Sequence, residues 1–196
     1  HHNDSKQNLR DLILDADHSR AVTLGLQKIF KIKNNDYLFS WEWTQMEQTA
    51  GRLLRNAGSW YEHSYVYDGY TNKGEVLGSS IGPGSNSHFI SIRKIYSNKN
   101  IGLFFEIVDN DNDFYYEAFD SANDYRRYWK DLNIGLNFNR KFNDFVISSS
   151  LTYIRSMNYQ WQLDDLIEPY YHNGRDLNNF HFNFKLTYFG LNALFK

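Results

Sequence analysis

The sequence predicts an all-β chain whose antiparallel strands belong to a transmembrane β-barrel. Three observations lead there. Apolar and polar residues alternate over long runs, short connections alternate with long ones, and the chain carries 5 Trp, 15 Tyr and 15 Phe at a mean hydropathy of -0.65. A chain that rich in rings and that polar on average sets its rings on alternate positions, so each strand has one greasy face and one wettable face. A soluble β-sandwich or jelly roll alternates in the same way on its inner faces and is the competing architecture. Runs of about fifteen residues exceed the usual soluble strand of about five or six.

The elements follow in order. Residues 1–19 read as an N-terminal loop segment, and 20–196 as the barrel portion. Val22, Leu24 and Leu26 alternate with Ala21, Thr23 and Gly25, and Tyr37, Phe39, Trp41 and Trp43 alternate with Leu38, Ser40, Glu42 and Thr44. Leu132, Ile134, Leu136 and Phe138 face away from Asn133, Gly135, Asn137 and Asn139. Phe145, Ile147, Leu151 and Tyr153 stand against Ser148, Ser150 and Thr152, and Phe180, Phe182, Phe184 and Leu186 against His181, Asn183 and Lys185. The expected strands are 20–32, 36–47, 88–97, 101–109, 127–142, 145–161 and 179–195.

Connection lengths orient them. "KNND" (33–36), "SNKN" (97–100) and "KFND" (141–144) are short, whereas 109–125 and 162–178 are long. Bacterial barrels have short periplasmic turns and long outer loops. With the C-terminus in the periplasm, 48–87 becomes a single luminal or extracellular excursion that begins and ends at the outer face. Bacterial single-chain barrels use even strand counts. The chain is therefore expected to supply about 7–8 C-terminal strands of a larger barrel, one of about 18 strands being an option. The closing "YFGLNALFK", with Phe195 near its end, resembles the C-terminal assembly signal of outer-membrane proteins.

Composition excludes several functions. The formal charge of -2 gives no basic face for phosphates, so no nucleic-acid partner is expected. Zero cysteines remove thiol catalysis, disulfides and thiolate metal sites. No apolar run reaches the ~18 residues of a membrane helix, and "HHNDSKQNLRDLIL" carries no signal-peptide pattern. In "DNDNDFYYEAFD", Asp109, Asp111, Asp113 and Asp120 occupy EF-hand spacing, but Phe114 replaces the turn glycine and the last ligand is Asp, so an acidic solvated loop is the default. Neither the histidines 63, 88, 172 and 181 nor the carboxylate pairs Glu62 with Asp68 and Glu117 with Asp120 complete a catalytic pattern. No enzyme, cofactor or metal is expected.

The excursion carries "WYEHSYVYDGYTNKGEVLGSSIGPGSN", Trp60 to Asn86. Its Tyr61, His63, Gly69, Tyr70, Gly74, Leu77, Gly78 and Gly84 resemble the motif of the capsule assembly Wzi family. The match covers about forty residues; beyond it only the barrel patterning agrees. The resemblance implies a lectin-like barrel in the outer membrane of a Gram-negative bacterium, in contact with outer-membrane lipids and anchoring capsular or other surface polysaccharide. Other outer-membrane proteins are further candidate partners; a structural barrel subunit or porin of a larger complex is the alternative reading, ahead of an outer-membrane lipid- or glycan-modifying enzyme.

Sugars present flat CH faces ringed by hydroxyls, so a sugar site sets aromatic platforms beside polar edges. Trp60, Tyr61, Tyr65, Tyr67 and Tyr70 supply platforms; Glu62, His63, Asp68 and Asn72 supply edges. Gly69, Gly74, Gly78, Gly82 and Gly84 permit sharp backbone. The competing structural reading is that these rings pack a lumen around irregular backbone.

Overall fold

Seven alternating runs become seven strands of one antiparallel sheet. The computed structural model describes residues 8–16, 18, 20–61, 65, 69–73, 75–119, 126–162 and 175–190. Its elements are α1 (Leu9–Leu14), β1 (Val22–Ile32), β2 (Asn35–Gln45), β3 (Thr71–Asn72), β4 (Glu75–Val76), β5 (Asn86–Ile95), β6 (Lys99–Asp109), α2 (Asn112–Phe119), β7 (Lys130–Phe142), β8 (Phe145–Met157) and β9 (Leu177–Tyr188). The large sheet runs β1-β2-β5-β6-β7-β8-β9, a meander in which every neighbour is also the next long strand; β3 and β4 form a separate hairpin.

Register carries the alternation across the whole sheet, because directly opposed residues share a face. One row reads Leu26, Trp41, Ile90, Phe105, Ile134, Tyr153, Phe180 from β1 to β9. The next reads Lys28, Phe39, Ile92, Leu103, Leu136, Leu151, Phe182. On the opposite face the row Gln27, Ser40, Ser91, Phe104, Gly135, Thr152, His181 is mostly polar, and the neighbouring row holds Glu42, Glu106, Asn133 and Asn179. Polar pairs bond across that face: Asn133 Nδ2 donates to Glu106 Oε2 at 3.0 Å and Asn139 Nδ2 to Asn100 Oδ1 at 3.0 Å.

Neither face is covered by a second layer among the described residues. The apolar face is open to its surroundings, with Leu24, Leu26, Ile90, Ile92, Leu103, Leu136, Leu151, Phe180 and Phe182 all exposed. Among the described residues, the buried hydrophobic ones are Met46, Trp60, Val108 and Tyr115. All four sit at or beyond the end of the sheet where the long connections run.

Three connections at the other end are tight. Ile32 pairs with Asn35 and Phe142 with Phe145, and the intervening Lys33 and Asn143 take φ of 54° and 47°. Positive φ at that position matches the primed hairpin turns that suit strand twist. Tyr96 N donates to Lys99 O at 2.9 Å to close the third. The long segments 46–85, 110–129 and 158–176 all leave and rejoin the sheet at the same end.

Several expectations change. The sheet is open among the described residues, with β1 and β9 as its edges, in line with the expectation that this stretch does not close a barrel by itself; the differences lie in the elements' type and bounds. The N-terminal segment expected as loop contains α1, and the acidic segment expected as loop contains α2. The strand expected over 145–161 ends at Met157, because Asn158, Gln160 and Trp161 adopt positive φ of 53°, 55° and 57°. That over 127–142 begins only at Lys130. No helix among the described residues is long and apolar enough to cross a membrane, which says nothing about strands.

Candidate functional site

The residues with chemistry gather at the long-connection end, where three irregular segments meet. The join is built on the ends of β2 and β5. Met46 N donates to Ser85 O at 2.9 Å and to Asn86 Oδ1 at 3.2 Å, so the excursion leaves and returns through one bonded neck. Glu47 Oε2 accepts from Asn86 Nδ2 at 2.5 Å and from Asn112 Nδ2 at 2.9 Å, tying α2 to the same neck. Buried Ser85 donates its hydroxyl to Pro83 O at 3.1 Å and accepts from Asp111 N at 3.0 Å.

The described sequence-predicted rings range from buried through half-buried to exposed. Trp60 is 4% exposed and donates Nε1 to Met46 O at 3.1 Å, which leaves almost no ring face for a sugar. Tyr61 holds a left-handed backbone, φ 68°, fixed by Tyr70 N donating to its carbonyl at 2.9 Å and Ser79 N to its hydroxyl at 2.9 Å. Its ring lies directly over Gly78, where an added Cβ would collide with it. Tyr65 and Tyr70, by contrast, are 88% and 65% exposed. Asn72 is exposed in the β3–β4 hairpin, where it pairs with Glu75. His63, Tyr67, Asp68 and Gly74 lie outside the described residues, as does Glu62.

Three of the predicted glycines, Gly69, Gly82 and Gly84, take positive φ of 57°, 81° and 60°. At Gly84 three features coincide. Its backbone is left-handed, a Cβ would meet Asp111 and Asp113, and its carbonyl accepts from Asn112 N at 2.9 Å. A side chain there would push α2 away from the neck.

Sequence reasoning missed α2 and what it carries. Asp111 Oδ1 accepts from Phe114 N at 3.1 Å, an N-cap contact, and Tyr115 meets Phe119 one turn on with centroids 6.0 Å apart. Those two features were the available signal. The helix seeds an aromatic cluster: Tyr115 stacks on Tyr128 at 4.0 Å, Phe114 lies 4.4 Å from Trp161, and Trp129 meets Trp161 edge-on at 5.1 Å. Of the EF-hand positions, Asp120 lies outside the described residues, and the three described carboxylates have separate partners. Asp109 pairs with Lys130 at 2.6 Å, Asp111 caps the helix, and Asp113 Oδ1 accepts from Gln48 N at 2.9 Å. His88 lies on the apolar face beside Trp43 and His181 on the polar face opposite Thr152.

Between α2 and the 3-10 turn Ala50–Leu53 lies a cleft of about 600 Å³. Burial raises the Asp113 carboxyl to about 6, with Glu47 and Asp111 adding to the shift while the Gln48 N–H and Arg52 oppose it. The Arg52 guanidinium lies 3.7 Å above the Tyr116 ring. The Tyr116 hydroxyl, bonded to Tyr128 at 3.4 Å and partly desolvated, is pushed up to about 12. Comparison with family models, curated proteins and solved structures gives no match.

Proposed function

We propose that this chain forms part of a β-barrel in the outer membrane of a Gram-negative bacterium, and that its long-connection end is an extracellular surface that binds capsular or other surface polysaccharide. One observation carries the membrane part: an apolar row from Leu26 to Phe180 runs across all seven strands, and Leu26, Ile90, Ile134 and Phe180 in it are exposed, opposite a mostly polar face. In water such a face is an aggregation surface, since monomers rarely expose apolar patches beyond a few hundred Å². Lipid acyl chains are the solvent that suits it, and the polar face then lines a lumen.

Closure follows from the same chemistry. The outer edges of β1 and β9 leave backbone N–H and C=O groups that hydrocarbon cannot satisfy, so further strands are needed between them. The saccharide part is supported by the exposed rings of Tyr65 and Tyr70, carried on backbone that Trp60 and Tyr61 anchor, and by the resemblance of the 60–86 segment to the Wzi family.

The test is expression in outer membranes, followed by glycan binding on intact cells. A protein that resists extraction by high salt and alkali, and retains polysaccharide at the cell surface, meets the expectation. A detergent-free, monodisperse soluble monomer overturns the membrane reading. Membrane insertion without any glycan retention leaves a structural barrel or porin.

A further inference from the structure

We propose that the cleft between α2 and the Ala50–Leu53 turn is the saccharide-binding site of this end, and that it selects neutral and amino sugars over uronic acids. The inference rests on the saccharide reading above and moves the site from the excursion's exposed rings to its base. The volume of about 600 Å³ lies in the range of small-ligand clefts.

The walls are held before any ligand arrives. Gln48 Nε2 donates to Asn56 Oδ1 at 3.2 Å and Gly58 O at 3.3 Å while its Oε1 accepts from Ala57 N at 2.8 Å. Asp113 is fixed by the Gln48 N–H, and Tyr116 by Tyr128 behind and Arg52 in front. Against that rigid frame, two charged groups have open hydrogen-bonding capacity. Among the described residues, the Arg52 guanidinium and the Glu117 carboxylate have no hydrogen-bond or ion-pair partner. A planar guanidinium lying on an aromatic ring offers N–H donors along its edge, and the carboxylates accept from sugar hydroxyls. Donors and acceptors at the rim of one cleft suit a polyhydroxylated ligand.

Charge then sets the class. Among the described residues, the lining holds one cation, Arg52, against Asp111, Asp113 and Glu117. A uronate would bring a further negative charge into that set, whereas a neutral hexose meets acceptors and a glucosamine ammonium meets attraction.

The experiment measures binding of three probes to the detergent-solubilised full chain at low salt: maltotriose, a glucosamine trimer and a galacturonate trimer. The first two are expected to bind about tenfold or more tightly than the third, with the gap narrowing at 1 M salt, where the screening length falls to about 3 Å. Glu117 is exposed, so Glu117→Gln spares the fold; it is expected to narrow the gap at low salt by improving galacturonate binding. Arg52→Ala is expected to weaken all three probes. Galacturonate binding as tight as the others, or a gap unmoved by Glu117→Gln, overturns the selectivity. Sugar binding that survives Arg52→Ala but is lost on replacing Tyr65 and Tyr70 overturns the cleft while leaving the saccharide reading intact. Binding of none of the three probes by a chain that still retains native polysaccharide overturns the cleft alone; loss of both overturns the two together.

Discussion

The two ends of the sheet are built on different principles. At one, strands meet through tight turns at Lys33–Asn34 and Asn143–Asp144 that bury nothing. At the other, Met46, Trp60, Val108 and Tyr115 are buried, and rings from α2 and from residues 128–161 pack both stacked and edge to face. Between them, the seven strands contribute ladder bonds, and among the described residues almost none of their apolar side chains is fully buried. The stability of the strands therefore depends on what contacts their apolar face, and that of the long-connection end on its own packing. The two halves should respond to different perturbations.

The largest effect is expected from the packed end. Trp60→Ala removes a buried indole and its bond to Met46 O, and large-to-small changes of that kind cost about 3–5 kcal/mol. Protease nicking between 46 and 85 should rise sharply, while strand content by circular dichroism stays near its original value. Parallel loss of strand signal would mean that the two ends are one cooperative unit.

Next comes the apolar face. Leu136 stands between Leu103 and Leu151, and Asn137 points the other way between Gly102 and Ser150. With lipid on the apolar face, Leu136→Arg should destabilise the folded state in liposomes by about 2–4 kcal/mol, and Asn137→Arg by much less. Equal penalties from reversible unfolding in liposomes would argue that the two faces see the same solvent.

A smaller, pH-dependent effect belongs to Asp113. Its carboxyl is raised from an ordinary 3.8 to about 6, so the folded state binds the proton more tightly than the unfolded chain does. The contribution is therefore fully present below about pH 4 and is lost as pH rises through about 6. A shift of about 2 units caps it near 3 kcal/mol, and partial exposure brings the expected value to about 1–2 kcal/mol. Asp113→Asn keeps an oxygen for the Gln48 N–H and removes the titration. Melting of the 46–119 region should then be flat between pH 4 and 7, where the parent chain loses stability. Retention of the parent's pH slope would assign the effect to another group.

The strands were legible because period-two alternation is a local signal written over many residues: Leu132 to Phe138 announces its face without help from the rest of the chain. The equal faces of 162–178 and 109–125 gave no such signal, so α2 passed for a loop although Asp111 and Phe114 stood at capping distance in sequence. The strand end at Met157 was hidden for a related reason. Tyr159 and Trp161 continue the alternating spacing, and only the left-handed backbone at Asn158 turns them into packing for Trp129. At the candidate site, composition shows that the segment is rich in rings and glycines but not which rings face out. Burial of Trp60 depends on Met46 O, a partner fourteen positions away that no local pattern marks.

The smallest effect tests the division between buried and exposed rings in that same segment. Tyr65 and Tyr70 are 88% and 65% exposed, so replacing both by Ala removes little buried surface and should leave melting within about 0.5 kcal/mol of the parent, the usual range for surface substitutions. If polysaccharide chains pass over these rings on their way to the cleft, each lost platform should weaken retention by about 0.5–1.5 kcal/mol. Trp60→Ala should show the reverse pattern, with lower local stability and weaker binding only to the extent that the neck comes apart. Comparing the two variants by thermal melting and by polysaccharide retention on cells gives each a distinct signature. Unchanged retention in the tyrosine double variant would remove the exposed rings from the binding surface and leave 60–86 as the folded collar of the cleft below.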